Sequence, residues 1–247
     1  MNKQILILAT TFITVAFISC SKEKIETQQP GNFEEIATAK KPGGGNSFTP
    51  VSNKGLLGRF EFDNNLKDGT GQLAEGVSTV NRVLYTTDRK GIPNKAILFN
   101  EAYGVDIFDV PWSPETSVSF WVKHDVAYPL SWRLMLLNQK GFVFQQTQTT
   151  VACNYWNGIS MDAVYAGSFN NKWHHLAATR DNNEMKFYVD GILIGTAPTP
   201  AGAGPYFPLE YYQLGYGTGA FWKGSMDDLR FYARVLSADE VNTLANF

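Results

Sequence analysis

The stretch Trp173–Gly191, WHHLAATRDNNEMKFYVDG, decides the fold. Two alternating runs flank the polar turn Asp181-Asn182-Asn183. In the second run Met185, Phe187 and Val189 fall on one side, and Glu184, Lys186 and Tyr188 on the other. Alternation with a period of two marks a strand with one buried face. In the first run His175 shares a side with Trp173 and Ala177, while His174 shares one with Leu176 and Ala178. Both sides are partly apolar, which places this strand deep in a sandwich. The adjacent histidines therefore point to opposite faces and cannot act as a catalytic pair.

The same pattern recurs outward from the hairpin. On the N-terminal side, Leu56–Phe62 alternates with Phe60 and Phe62 inward and Arg59 and Glu61 outward. A loop rich in Asp, Asn and Gly follows, Asp63–Gly71. Ala96–Phe99 and Val105–Phe108 read as short strands, and Ser117–Lys123 alternates with Val118, Phe120 and Val122 on one face. Arg133–Asn138 and Phe142–Gln145 form a hairpin pattern around Gln139-Lys140-Gly141. On the C-terminal side, Ile192–Thr196, Tyr211–Tyr216 and Met226–Tyr232 read as strands, with a Pro- and Gly-rich stretch at 197–208 that resists regular structure. Ser237 followed by Glu240 is a capping box and predicts a short closing helix. Many short strands and one helix predict an all-β sandwich or barrel.

The N-terminus addresses the compartment. Lys3 gives a positive start, residues 5–18 form an apolar core too short to span a membrane, and Phe17-Ile18-Ser19-Cys20 closes it. This end resembles a bacterial lipobox, with Phe17 in place of the usual Leu. The resemblance implies a signal peptide over 1–19, cleavage before Cys20, and lipidation of that thiol as a membrane anchor; an ordinary secretory signal is the alternative. Residues 20–54 are polar and end in a turn-rich run, Lys40–Asn46, with no lasting hydrophobic period. That is a linker composition, and a flexible tether of this length spans roughly 30–35 Å. The globular domain is expected over 55–247. Its lone cysteine, Cys153, rules out an internal disulfide and reads as a small buried apolar residue. A formal net charge of -2 gives no basic field for nucleic acid.

Several motifs line up in order: Phe60-Glu61-Phe62-Asp63-Asn64 with Asp68–Gly71, Lys95–Phe99, Val118–Lys123, Trp173–Ala177, Phe187–Gly191, Gly224–Tyr232 and Leu236–Glu240. Together they resemble the laminin-G-like branch of the concanavalin A-like lectin/glucanase superfamily. The resemblance covers about Gly55 to Phe247. It implies a jelly-roll sandwich of two antiparallel sheets with the short C-terminal helix. It also implies a Gram-negative, Bacteroides-type lipoprotein on the outer membrane or cell surface. Fold alone does not fix function, because the same sandwich carries lectins, glycosidases, adhesion modules and spacers.

Three kinds of site deserve weighing. Asp63, Asn65 and Asp68 offer hard oxygen ligands in one loop, and Asp227 shares a parity with Leu229 and Phe231 that points it into the sandwich, where a charge needs a partner. The family resemblance implies a structural Ca²⁺ on Asp63, Asn65, Asp68 and Asp227; the alternative is a self-contained turn with Asp227 paired to Arg or backbone amides. Glycans are held by aromatic rings on sugar faces, with amides and carboxylates fixing the hydroxyls. Aromatics are 14 % of the chain, and Trp132, Tyr155, Trp156, Tyr216 and Trp222, with Phe221 nearby, sit in turn-like surroundings as candidate sugar contacts. Glycoside hydrolysis needs two facing carboxylates, about 5–5.5 Å or about 6.5–9.5 Å apart. The nearest match to a Glu-x-Asp-x-x-Glu pattern, Glu61–Leu66, has Leu66 in the third acidic place. No catalytic residue is assigned. The expectation is a membrane-anchored binding module for a glycan or cell-surface polysaccharide, with a protein-binding, adhesion or spacer role as the alternative.

Overall fold

The alternation in Trp173–Gly191 folds as a hairpin of β11 (Trp173–Arg180) and β12 (Glu184–Val189), with Ala178 opposite Phe187 and Leu176 opposite Val189. The computed structural model describes residues 51–124, 133–138, 141–147, 150–155, 159–164, 171–199, 209–217 and 220–247. Cys20 and the segment 1–50 lie outside them.

Two antiparallel sheets face each other across one core. The first sheet runs in the order β13 (Ile192–Pro198), β12, β11, β6 (Thr116–Lys123), β17 (Lys223–Tyr232), β4 (Ala96–Asn100) and β3 (Tyr85–Thr86), with β1 (Leu56–Phe60) also on β17. The second runs β10 (Ile159–Val164), β9 (Thr150–Tyr155), β8 (Phe142–Gln146), β7 (Arg133–Asn138), β14 (Leu209–Leu214), β5 (Val105–Pro111) and β2 (Val77–Ser78). A separate ribbon, β15 (Tyr216–Gly217) and β16 (Ala220–Phe221), lies against β7. Non-consecutive neighbours in both sheets give the crossovers of a jelly roll.

The inward residues are those that alternation selects. Val118, Phe120 and Val122 meet Leu176 and Ala178 beside Met185 and Phe187, and Phe120 packs edge-on against Phe144 of the other sheet at 4.8 Å. Cys153 is fully buried in the same core, and burial pushes its thiol well up, which makes it unreactive. The C-terminal helix α1 (Ala238–Ala245) has the expected capping box at Ser237 and Glu240. It covers the outer side of the first sheet, where Val241 and Leu244 pack with Ala177, Tyr188 and Tyr232. This explains why β11 is apolar on both sides.

The histidines are scaffold. Asp190 accepts the His175 backbone N–H at 2.8 Å and contacts His174 Nδ1 at 2.8 Å, which fastens the end of the hairpin. The His175 ring meets Ser119 Oγ at 2.8 Å, and burial lowers its pKa to about 4, so it stays neutral.

Two local breaks depart from the sequence reading. The run Tyr211–Tyr216 splits at Gly215, whose positive φ of 74° turns Tyr216 into the β15–β16 ribbon. A side chain at Gly215 would strike the Phe99 ring. In β17 the register shifts between Asp227 and Arg230, with Asp228 at φ 49°. This bulge moves Asp227 to the outer face, opposite Trp121, while Leu229 and Phe231 stay in the core. The expectation that Asp227 points inward is corrected by that one inserted residue. Burial then pushes its carboxyl up to about 6, against the pull of Arg89.

Arg89 bridges Asp227 and Asp228, and Arg230 grips Asp228 through Nε at 2.8 Å and Nη2 at 2.9 Å. Removing one partner of a buried ion pair leaves an uncompensated charge and costs about 3–5 kcal/mol. Arg89→Leu is expected to lose stability of that order in urea melts at pH 7.5. The loss should shrink as the pH falls toward about 6 and level off below it, because without Arg89 the Asp227 carboxyl takes up its proton at a higher pH than in the parent, and below about 6 it is neutral in both.

Candidate functional site

The outer face of the second sheet carries the site. On β5, Val105, Ile107 and Val110 enter the core, so Asp106 and Phe108 project outward. On β14, Tyr212 and Leu214 are inward, which turns Tyr211 outward. The Phe108 and Tyr211 rings stack at 5.0 Å with 19° between their planes. Across the ribbon, Tyr216 pairs with Phe221, and those rings stack at 6.0 Å, also at 19°. The two stacks meet at Asp106: Tyr211 donates its hydroxyl to Oδ1 at 2.9 Å, and Tyr216 donates to the same oxygen. The phenol oxygens are 3.2 Å apart. Gly104 makes this possible, since any side chain there would collide with the Tyr216 ring.

The electrostatics follow from the geometry. Burial, the contact with Tyr216 and the Asp106 carboxylate all push the Tyr211 phenol up. Burial and donation to Asp106 do the same for Tyr216. Both phenols therefore remain protonated donors at neutral pH. The outer rings are open, with Phe108 42 % and Phe221 36 % exposed. The result is a pair of apolar plates, each an exposed Phe backed by a Tyr, joined at an acidic centre.

Of the expected sugar contacts, Tyr216 is in this cluster. Trp222 and Tyr155 are corrected. Trp222 is 0 % exposed, lies 5.7 Å from the Phe99 ring and hydrogen-bonds Gln146. Tyr155 is 2 % exposed, meets Phe142 edge-on at 6.0 Å and accepts a hydrogen bond from Arg180. Both plug the interior and offer no ring face to a ligand. Trp132 and Trp156 lie outside the described residues. Asp106, Phe108 and Tyr211 were not singled out from the sequence. The available signal was the alternation Val105-Asp106-Ile107-Phe108, which places an acid and a phenyl ring together on the side away from the core.

The four expected calcium ligands do not form one set. Asp68 organises its own loop: Oδ1 accepts the N–H groups of Arg59 at 2.8 Å and Thr70 at 3.0 Å, and Oδ2 accepts those of Gln72 and Leu73 at 2.9 Å and the Thr70 hydroxyl. Five donors exceed the roughly four lone-pair sites of a carboxylate, which leaves none for a metal. Asn65 bridges the Asp63 carbonyl at 2.7 Å and the Lys67 N–H at 2.9 Å. Asp63 and Asp227 do line a shared cleft with Asp88, Arg89, Lys90 and Lys95. There Lys95 pairs with Asp63 and Arg89 with Asp227, so cationic side chains already supply the counter-charge. Among the described residues no group of three or more His, Cys, Asp or Glu side chains is arranged to hold a metal.

Residues 102–242 match the family model Laminin_G_3, described as the concanavalin A-like lectin/glucanases superfamily. No curated protein matches significantly. Solved structures share the fold at low identity. Domain 4 of AbnA, a GH43 extracellular arabinanase from Geobacillus stearothermophilus solved with arabinotriose, is 24 % identical, with a TM-score of 0.58 over 77 % of this chain and 98 % of that one. The binding domain of botulinum neurotoxin serotype D is 14 % identical, with a TM-score of 0.61 over 78 % of this chain and 51 % of that one. Botulinum neurotoxin type C, whose passage into cells depends upon interaction with two ganglioside molecules, is 15 % identical, with a TM-score of 0.60 over 78 % and 51 %. The chain thus spans about half the length of the neurotoxin chains.

Calcium and a chelator are expected to give the same thermal midpoint; a rise of several degrees with calcium would show that the folded chain binds the ion. Asp68 yields a pH prediction. Burial works to raise its carboxyl, but the hydrogen bonds from Arg59, Thr70 and Leu73 outweigh it and hold it below 3.8. Its stabilisation is therefore full above that ordinary value and is lost as the pH falls through the lowered folded one. The acid limb of the stability curve should flatten in Asp68→Ala relative to the parent.

Proposed function

We propose that this chain, which belongs to the concanavalin A-like lectin/glucanases superfamily, is a glycan-binding module whose ligand lies on the Phe108–Tyr211 and Tyr216–Phe221 platform. The observation that carries this reading is the pairing of two exposed, Tyr-backed Phe rings with one carboxylate between them. Sugar rings present C–H faces that stack on such plates, and their hydroxyls seek the acceptor between. The rings are already stacked and the two tyrosines already tied to Asp106, so little ordering cost opposes binding. The arabinotriose complex of AbnA domain 4 and the ganglioside dependence of neurotoxin type C support the reading by analogy of fold.

The platform would work at a membrane surface. Cys20 is the proposed lipid attachment site and 20–54 the tether, which would hold the domain at the outer membrane or cell surface of a Gram-negative bacterium. Polysaccharide of the surroundings is then the natural ligand pool.

Titration with neutral oligosaccharides checks the first proposal. Phe108→Ala and Phe221→Ala should each weaken binding by about tenfold or more, on the scale of roughly 1–3 kcal/mol for a lost stacking contact. Because both rings are well exposed, the thermal midpoints should move little. Unchanged affinity in both variants would remove the platform from the function. Cys20→Ala is expected to release the protein from membranes into the soluble fraction; retention would defeat the anchor.

A further inference from the structure

The chemistry of the same platform narrows the ligand, resting on the glycan-binding reading above. Both phenol protons are directed at Asp106 Oδ1. Burial and that carboxylate keep them there. Among the described residues no Lys or Arg forms an ion pair with Asp106, in contrast to Asp63 and Asp227, which each have one, and Asp228, which has two. Asp106 is half-buried, so solvent screens it only in part. The centre therefore presents acceptor oxygens and an unneutralised negative charge, with no ion-paired cation beside it. The flanking plates are phenyl rings that carry no charge of their own.

We propose that the platform selects neutral, hydroxyl-rich glycans and rejects chains bearing carboxylate or sulfate groups. A sugar hydroxyl seated between the plates donates to the Asp106 carboxylate, a charge-assisted bond. A uronate or sulfate in the same place meets a like charge. At contact distance in a partly desolvated setting that repulsion lowers affinity on the order of a hundredfold or more.

The test uses the full chain, purified in detergent, and a panel of neutral oligosaccharides with their uronate and sulfated counterparts on matched backbones. The parent should bind at least one neutral glycan and bind its anionic counterpart at least a hundredfold more weakly. Asp106→Asn keeps an acceptor for both phenols while deleting the charge. It should narrow that gap by about tenfold or more, and Phe108→Ala should weaken the neutral ligand. Equal binding of neutral and anionic partners, with both lost in Phe108→Ala, overturns the charge selection and leaves the glycan reading standing. Binding of no glycan overturns both. If Asp106→Asn does not fold, the comparison of matched ligands on the parent still decides.

Discussion

The first sheet depends on the Arg89 clamp over the bulge of β17. That strand pairs with β6 on one side and with β4 and β1 in succession on the other. An extra residue at Asp228 would leave two carboxylates crowded on one face. Arg89 bonds both, and Arg230 completes the chain by taking both oxygens of Asp228. The clamp also ties the segment before β4 to the middle of the sheet. Buried ion pairs add little net stability over apolar packing, but they forbid alternatives that would leave a charge alone. Here the forbidden alternative is a regular β17, in which Asp227 would face the core.

The two faces of the sandwich divide the aromatic residues by what each face must do. Between the sheets, Phe120, Phe144, Phe187 and Trp222 are fully buried and fix the spacing of the layers. The outer side of the first sheet is closed by the C-terminal helix and the ion network. The outer side of the second sheet holds stacked rings with exposed edges around Asp106. Among the described residues, two stacked Tyr–Phe pairs and one carboxylate without an ion pair meet solvent together on that face, and the proposed function rests on them.

Much of the fold was legible because alternation is a local signal. Val118, Phe120 and Val122 declare their face within a few residues, as do Met185, Phe187 and Val189. The capping box at Ser237 is likewise contained in four residues. The site was less legible. Trp222 and Tyr155 sit in turn-like sequence, yet both plug the interior, where their rings pack on Phe99 and Phe142. Turn-like context and surface exposure are different properties, and only packing separates them. Tyr211 and Tyr212 are neighbours, so one must be buried and one exposed, and the sequence offers no local reason to choose.

By itself the sequence determined the all-β class, the central hairpin, the closing helix and the scaffold role of Trp173 to Gly191, because each rests on periodicity or capping over a short range. Tertiary structure decided where parity fails and which residues converge. The bulge at Asp228 reversed the direction of Asp227, and Gly215 redirected Tyr216 toward a carboxylate 110 positions away in the chain. Both outcomes depend on contacts between distant segments, Arg89 with β17 and Phe99 beneath Gly215, and no local pattern encodes them.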